Sequence, residues 1–288
     1  MKNVAIIGTG NIGCDLLVKL SRSKHLKCTS FIGRTPNSQG LAFARDFNVH
    51  INSNGIEGLL DCQNEFDIVF DATSASENVY ISKEMKRIGK SIINLTPNLI
   101  GTKCVPVINA SLVANEKNIN LISCGGQASI PIINAISQSC TKPLRYVEIV
   151  SSISAESAGI ATRQNLSEYM VNTESAILEF SRCEKAKVIL IINPAKPAIK
   201  MQTTIFAIPS ESPDIKLIDQ TIKLITEKIQ NYIIGYNLVM APFFDGSKIT
   251  VMVEVTGSGD YLPKYSGNLD IITCASVQVA EHMARLPI

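Results

Sequence analysis

A short apolar, β-branched run, Asn3 to Gly8 (NVAIIG), leads straight into Gly8-Thr9-Gly10-Asn11-Ile12-Gly13. The six residues fit GxGxxG. From Asn11 to Ser23 the pattern becomes helical, with Ile12, Leu16, Leu17 and Leu20 on one stripe. In such a strand, turn and helix, Gly8 permits the tight turn, Gly10 lets a pyrophosphate approach the backbone, and Gly13 allows the helix to pack closely on the strand. The unbonded N–H groups of the helix start then face the phosphates. Alone, a GxGxxG is a weak sign. In this context it implies a dinucleotide site, the alternative being a turn whose glycines serve packing only.

The rest of the chain extends that reading. Cys28 to Gly33, Asp67 to Asp71 and Ser91 to Leu95 read as buried strands, with helical stretches around Leu41 to Phe47 and Glu77 to Ile88. Alternation of this kind predicts a Rossmann-like, doubly wound parallel sheet. After about Pro131 the pattern changes. Leu144 to Ser154, Val188 to Asn193, Thr203 to Ile208 and Lys248 to Thr256 read as long strands; Arg163 to Ser181, Pro213 to Tyr232 and Leu269 to Ala284 read as helices. The fold class expected is therefore α/β: an N-terminal dinucleotide-binding domain over residues 1–130 and an α+β domain over 131–267, followed by a C-terminal helix at 268–288. A chain of 288 residues is comfortable for two such domains.

Composition narrows the function classes. The net charge is only +2 and no Lys/Arg stripe is present, which excludes a nucleic-acid footprint. Apolar runs are too short to span a bilayer, and the N-terminus runs directly into a strand without a signal-peptide pattern. The eight cysteines show no CxxC pair and no ligand-like spacing to His25, His50 or His282, so no metal site is expected. Free thiols in a reducing cytoplasm are the simplest reading.

Two positions carry chemical expectations. The second strand ends Phe31-Ile32-Gly33-Arg34-Thr35, without the acid that would bind the ribose hydroxyls of NAD. Arg34 stands where a 2′-phosphate could be met, or is a solvated loop residue; the sequence leaves both open. Further on, a strand runs into Ser123-Cys124-Gly125-Gly126, with a helix expected from Gln127 to Ser139. A thiol there lies among free N–H groups at the positive end of a helix dipole, which would lower its pKa, and the same groups could bind an oxyanion. The alternative is a small buried hydrophobe, the reading that suits Cys28, Cys140 and Cys274; Cys14 reads as a packing residue. No histidine lies near a recognisable catalytic turn, so the proton acceptor would be water or a nearby polar group.

Read in order, VAIIGTGNIGCDLL from Val4, FDATSA from Phe70, NLTP from Asn94, CVPVIN from Cys104, SCGGQASIP from Ser123, SAGIATRQN from Ser157, IINPAKP from Ile191 and YLPKYSGNLDIIT from Tyr261 cover nearly the whole chain. Together they resemble the acylating acetaldehyde dehydrogenases that partner 4-hydroxy-2-oxovalerate aldolases in bacterial aromatic catabolism. The resemblance implies Cys124 as the acyl-thioester nucleophile and Thr9, Gly10, Asn11 and Ile12 as the pyrophosphate turn. It implies further cofactor contacts from Ser157, Ala158, Gly159, Ile160, Ala161, Thr162, Arg163, Gln164, Asn165 and Asn268. It also implies NAD or NADP as cofactor, coenzyme A and a short aldehyde as substrates, a homodimer built by the second domain, an aldolase partner, and a last helix that returns to the first domain. The chain departs from the family in four places. SAGIATR has Ile160 and Ala161 where the family has Pro and Gly. Thr203 aligns with a family Asp assigned to proton transfer. The stretch from Tyr236 to Val253 is shorter than in relatives, and Thr35 stands where their second strand often has Asp. The alternatives are a phosphorylating semialdehyde dehydrogenase of related fold and a nucleotide-binding subunit without activity.

Overall fold

The structure, a computed structural model, describes residues 1–285, with the side chains of Ile160 and Ala161 outside the described set. Two compact units emerge. The first comprises Met1–Leu121, Asp260–Leu262 and the described residues from Ile272 onward; the second comprises Ile122–Gly259 and Pro263–Ile271.

The first unit is a parallel sheet of β1 (Lys2–Ile7), β2 (Leu26–Ile32), β3 (His50–Asn52), β4 (Ile68–Asp71), β5 (Ser91–Asn94), β6 (Thr102–Lys103) and β7 (Asn118–Asn120), in the order β3-β2-β1-β4-β5-β7-β6. Helices α1 (Asn11–Ser21), α2 (Gln39–Ala44), α3 (Gly55–Asp61) and α4 (Ala75–Arg87) pack on it, and α5 (Pro106–Val113) follows β6. The order reverses direction at β1, so the β1–α1 turn lies at the switch point where open α/β sheets bind ligands. The central strands are buried on both faces, hence their continuous apolar runs rather than alternation. The sequence reading missed α3, α5, β6 and β7, all short segments in which periodicity has little length to show.

The second unit begins with α6 (Cys124–Gln138). Its sheet comprises β8 (Leu144–Ser154), β9 (Ala186–Asn193), β10 (Met201–Pro209), β11 (Tyr236–Phe244) and β12 (Ile249–Val255), ordered β11-β12-β10-β8-β9; the β8–β9 pair is parallel and the others antiparallel. Burial alternates along β8, β10 and β12 because one face is covered by helices. Those helices include α6, α8 (Leu166–Phe180) and α9 (Ile215–Gln230). The single helix expected from Arg163 to Ser181 is instead α7 (Ile160–Gln164) and α8, parted at Asn165, whose φ of −118° and ψ of 36° leave the helical region. The last helix, α10 (Gly267–Arg285), starts in the second unit and continues in the first. Among the described residues, no helix is long and apolar enough to cross a membrane.

Candidate active site

In the first unit the glycine turn takes the form its sequence predicts. Gly8 has a φ of 110°, and a Cβ there would run into the carbonyl of Ala72; a Cβ on Gly13 would run into the carbonyl of Gly8. Both glycines are required by close backbone approach. Asp71 shapes the facing loop, accepting from the Thr73 N–H (3.0 Å) and the Asn78 amide (2.6 Å). Gly10 differs from its neighbours: a Cβ there would meet nothing within 4 Å. It is the N-cap of α1 with no side-chain cap, and Gly10 and Asn11 are exposed. Open space over an uncapped helix start is the cradle a pyrophosphate requires. Thr9 is held from the side by Ser38 (Oγ1 to Oγ 3.2 Å), and Ile12 is half-buried at the start of the helix. Arg34 points outward, its side chain 75% exposed and 3.5 Å from the Glu77 carboxylate.

In the second unit the chain enters α6 through Ile122, a β-branched residue at a φ of 67°. That conformation is strained for an L-residue with a branched side chain and is commonest at functional sites. The Asn172 amide donates to its carbonyl at 3.0 Å. Ser123 then caps the helix, accepting from the Gly126 N–H at 3.0 Å, and Cys124 is the first helical residue. The helix starts three residues before the expected Gln127. Poor helix propensity makes a Gly-Gly pair read as loop, but a capped first turn tolerates it. Gly125 has a packing reason: a Cβ there would strike the Tyr169 hydroxyl and lie 3.0 Å from Ser151 Oγ.

The environment of Cys124 corrects one expectation. Burial pushes the thiol up to about 11, against lesser lowering from the Tyr169 hydroxyl and the N–H groups of Gly125 and Cys124. The N–H groups expected to be free are engaged by the protein itself: Gly125 donates to Tyr169 Oη at 3.0 Å and Gly126 to Ser123 Oγ. Sulfur and Tyr169 Oη are 3.8 Å apart. Thr203 is buried on the inward face of β10 and shares a 2.9 Å hydrogen bond with Ser151 of β8. A hydroxyl pair therefore stands beside Gly125, and no carboxylate comes from Thr203. Tyr169, Ser151, Ser123 and Thr173 were not singled out by sequence reasoning. Tyr169 lies 45 residues from Cys124 on an ordinary amphipathic helix, and only the tertiary packing brings it to the sulfur.

The segment from Ser157 is also placed. Ser157 and Ala158 are buried; Gly159, Arg163 and Gln164 are exposed, and Thr162 and Asn165 half-buried. Arg163 folds back to donate to the carbonyls of Ala158 and Ala155, both at 3.1 Å. The side chains of Ile160 and Ala161 lie outside the described residues. Asn268 is buried, with its amide 3.5 Å from the Ser157 carbonyl and its Oδ1 without a hydrogen-bond partner among the described residues. The structure thus joins two positions that the resemblance assigns to one role. Elsewhere in the first unit, folding brings His50, Cys62 and Glu65 together, their donor atoms within 4.8 Å of one another, a grouping their sequence spacing hid.

The whole architecture is shared with an oxidoreductase of known structure: aspartate semialdehyde dehydrogenase with NADP from Candida albicans matches with a TM-score of 0.66 over 98% of each chain, at 11% identity, a likeness of fold alone. By family profile, residues 124–263 match "Prokaryotic acetaldehyde dehydrogenase, dimerisation" and residues 1–100 match "Shikimate / quinate 5-dehydrogenase". The acetaldehyde dehydrogenase of Pectobacterium atrosepticum is 47% identical over 98% of this chain and 96% of its own length; that of Geobacillus stearothermophilus is 46% identical over the same shares. The chain belongs to the acetaldehyde dehydrogenase family of oxidoreductases.

Proposed function

We propose that this chain is a CoA-acylating aldehyde dehydrogenase that oxidises a short aldehyde such as acetaldehyde to the acyl-CoA, with NAD or NADP as cofactor. The observation that carries the reading is Cys124 at the first position of a capped helix, entered through a strained residue, in a chain so close to acetaldehyde dehydrogenases over its whole length.

The thiol of Cys124 loses its proton to solvent water, and the thiolate attacks the aldehyde carbonyl to give a tetrahedral adduct. A bound nicotinamide dinucleotide supplies the hydride acceptor that converts the adduct to a thioester on Cys124. The thiol of coenzyme A then attacks the thioester carbonyl and releases Cys124, so the energy of oxidation stays in the acyl-CoA. Gly8, Thr9, Gly10, Asn11, Ile12 and Gly13 would hold the pyrophosphate. Asn268 Oδ1, without a partner among the described residues, would accept from the carboxamide of the nicotinamide, with the segment from Ser157 to Asn165 around it. Arg34 and Thr35, replacing an acid, would admit a 2′-phosphate.

The same reading includes a homodimer. The face of the second sheet left uncovered by the described residues carries a row of apolar Ile189, Val150, Met252 and Met240, with Thr204 at its centre, across β9, β8, β12, β11 and β10, with Phe243 further out. Such a face suits a second copy of the chain. It also includes a cytoplasmic location and a 4-hydroxy-2-oxovalerate aldolase as partner.

The test is turnover of short aldehydes with coenzyme A or phosphate as acceptor, with each of NAD and NADP, by wild type and Cys124→Ala. Acyl-CoA formation should be lowered by at least about 10³-fold in the variant, with cofactor binding retained. Near-normal turnover by Cys124→Ala, or transfer to phosphate alone, would overturn the reading.

A further inference from the structure

We propose that the Tyr169 hydroxyl is the group that assists Cys124, stabilising the thiolate once it forms by a hydrogen bond donated to the sulfur. This inference rests on Cys124 being the nucleophile.

The proton positions around Cys124 can be worked out link by link. The Thr173 hydroxyl donates to the carbonyl of Tyr169 at 2.6 Å, one turn back on α8. Thr173 Oγ1 and Ser123 Oγ are also 2.6 Å apart. A hydroxyl has one proton, so in that pair Ser123 donates and Thr173 accepts. Ser123 Oγ meanwhile accepts from the Gly126 N–H. Ser123, the hydroxyl adjacent in sequence to the nucleophile, therefore has no proton left for the sulfur. Ser151 and Thr203 are paired with each other at 2.9 Å. Tyr169 Oη accepts the Gly125 N–H at 3.0 Å, which fixes the oxygen while leaving its own proton to turn between the sulfur and the Ser123 hydroxyl, which also lies within its reach. The sulfur lies 3.8 Å from that oxygen.

The contact works differently in the two states of the thiol. While protonated, Cys124 donates a weak S–H bond to Tyr169 Oη. Once ionised, the sulfur accepts from the phenol, and a bond to a charged acceptor is the stronger of the two. The difference favours the thiolate and opposes the burial that disfavours it. Tyr169 does not titrate in this role: burial holds its hydroxyl well above the ordinary tyrosine range, so it remains a donor throughout the working pH range. The pairing also explains Gly125, since any side chain there would push the phenol from the sulfur. With a threonine at 203 and no histidine among the described contacts of the thiol, the phenol is the donor the site provides.

The experiment measures iodoacetamide alkylation of Cys124 between pH 6 and 11, followed site by site through peptide mass spectrometry because the chain has eight cysteines. Wild type is compared with Tyr169→Phe and with protein carrying 3-fluorotyrosine at position 169, a more acidic phenol and hence a stronger donor. On the rising limb of the rate–pH curve, Tyr169→Phe should slow alkylation about tenfold at each pH, equivalent to an upward displacement of about one pH unit; the fluorinated phenol should speed it. A role in packing alone predicts no shift with the fluorinated side chain, which keeps ring and hydroxyl, and so keeps the inference testable should Tyr169→Phe fold poorly. A curve that stays put, or that moves in the same direction in both proteins, overturns the inference. Alkylation needs no turnover, so the outcome is separate from the acyl-transfer assay: active Cys124→Ala would end the reading of the reaction, while an unmoved rate–pH curve would end only the role of Tyr169.

Discussion

Two helices of this protein begin just after an extended segment, with glycines in the first turn, and they use their N-termini in opposite ways. At α1 the start is left open: Gly10 caps it without a side chain and faces empty space. At α6 the protein fills the start from within, Ser123 taking the Gly126 N–H and Tyr169 taking the Gly125 N–H. An open start has donors to offer an external anion. A filled one has few, and burial outweighs the hydrogen bonds that lower the pKa of the thiol beside it. A helix N-terminus is therefore not a chemical function in itself; what its first N–H groups are bonded to decides the matter.

Substitution at the open start gives the largest effect apart from loss of the nucleophile. Gly10→Ala adds a methyl group where no atom of the described residues lies within 4 Å, at a φ of −78° that alanine adopts freely. The melting temperature should hold within about 2 °C, while dinucleotide affinity, measured by calorimetric titration, should fall about tenfold to hundredfold as one charge-assisted contact is obstructed. Gly13→Ala should do the reverse of this pattern in stability, lowering the melting temperature, because its methyl meets the Gly8 carbonyl. Unchanged affinity in Gly10→Ala would remove the pyrophosphate from the start of α1 and with it the contrast between the two helices.

How far each helix could be read from sequence follows from the same contrast. The α1 turn is specified locally: six consecutive residues, a preceding strand and a following amphipathic stripe supply its geometry. The helix start close to Cys124 was legible for the same reason, as were the α/β fold class and most long elements. Its electrostatics were not. They depend on Tyr169 from another helix, on burial by the sheet, and on hydroxyls at 151 and 203 that meet across β8 and β10. The break at Asn165 and the helix start at Cys124 were missed because propensity and periodicity average over windows longer than the features themselves.

The second prediction concerns those hydroxyls. Thr203→Val removes the partner of Ser151 Oγ inside the sheet, leaving a buried hydroxyl without its bond. Stability should drop by about 1–2 kcal/mol in denaturant unfolding. Turnover should fall no more than about tenfold, because a threonine has no useful proton affinity near neutral pH and can only orient its neighbours. A loss as large as that of Cys124→Ala would show that the site around α6 depends on position 203 for proton transfer after all.

The smallest effect is expected at Arg34, beyond the open turn. The end of β2 lacks an acid, so nothing there repels a 2′-phosphate, and Arg34 offers a cation. Its side chain, however, is 75% exposed and already faces the Glu77 carboxylate at 3.5 Å. An exposed pair of this kind contributes little to stability, so the guanidinium is free to swing, but a phosphate must compete with water and with Glu77 for it. The preference it confers should therefore be modest. Arg34→Ala should weaken NADP about threefold to tenfold at low salt, leave NAD nearly unchanged, and keep the melting temperature within about 1 °C. Glu77→Gln should act in the opposite direction by releasing the arginine and removing a negative charge, raising NADP affinity by a few-fold, with both effects shrinking as salt rises. Equal effects of Arg34→Ala on the two cofactors would make the arginine a solvated loop residue, and would confine cofactor recognition in the first unit to the backbone of the glycine turn.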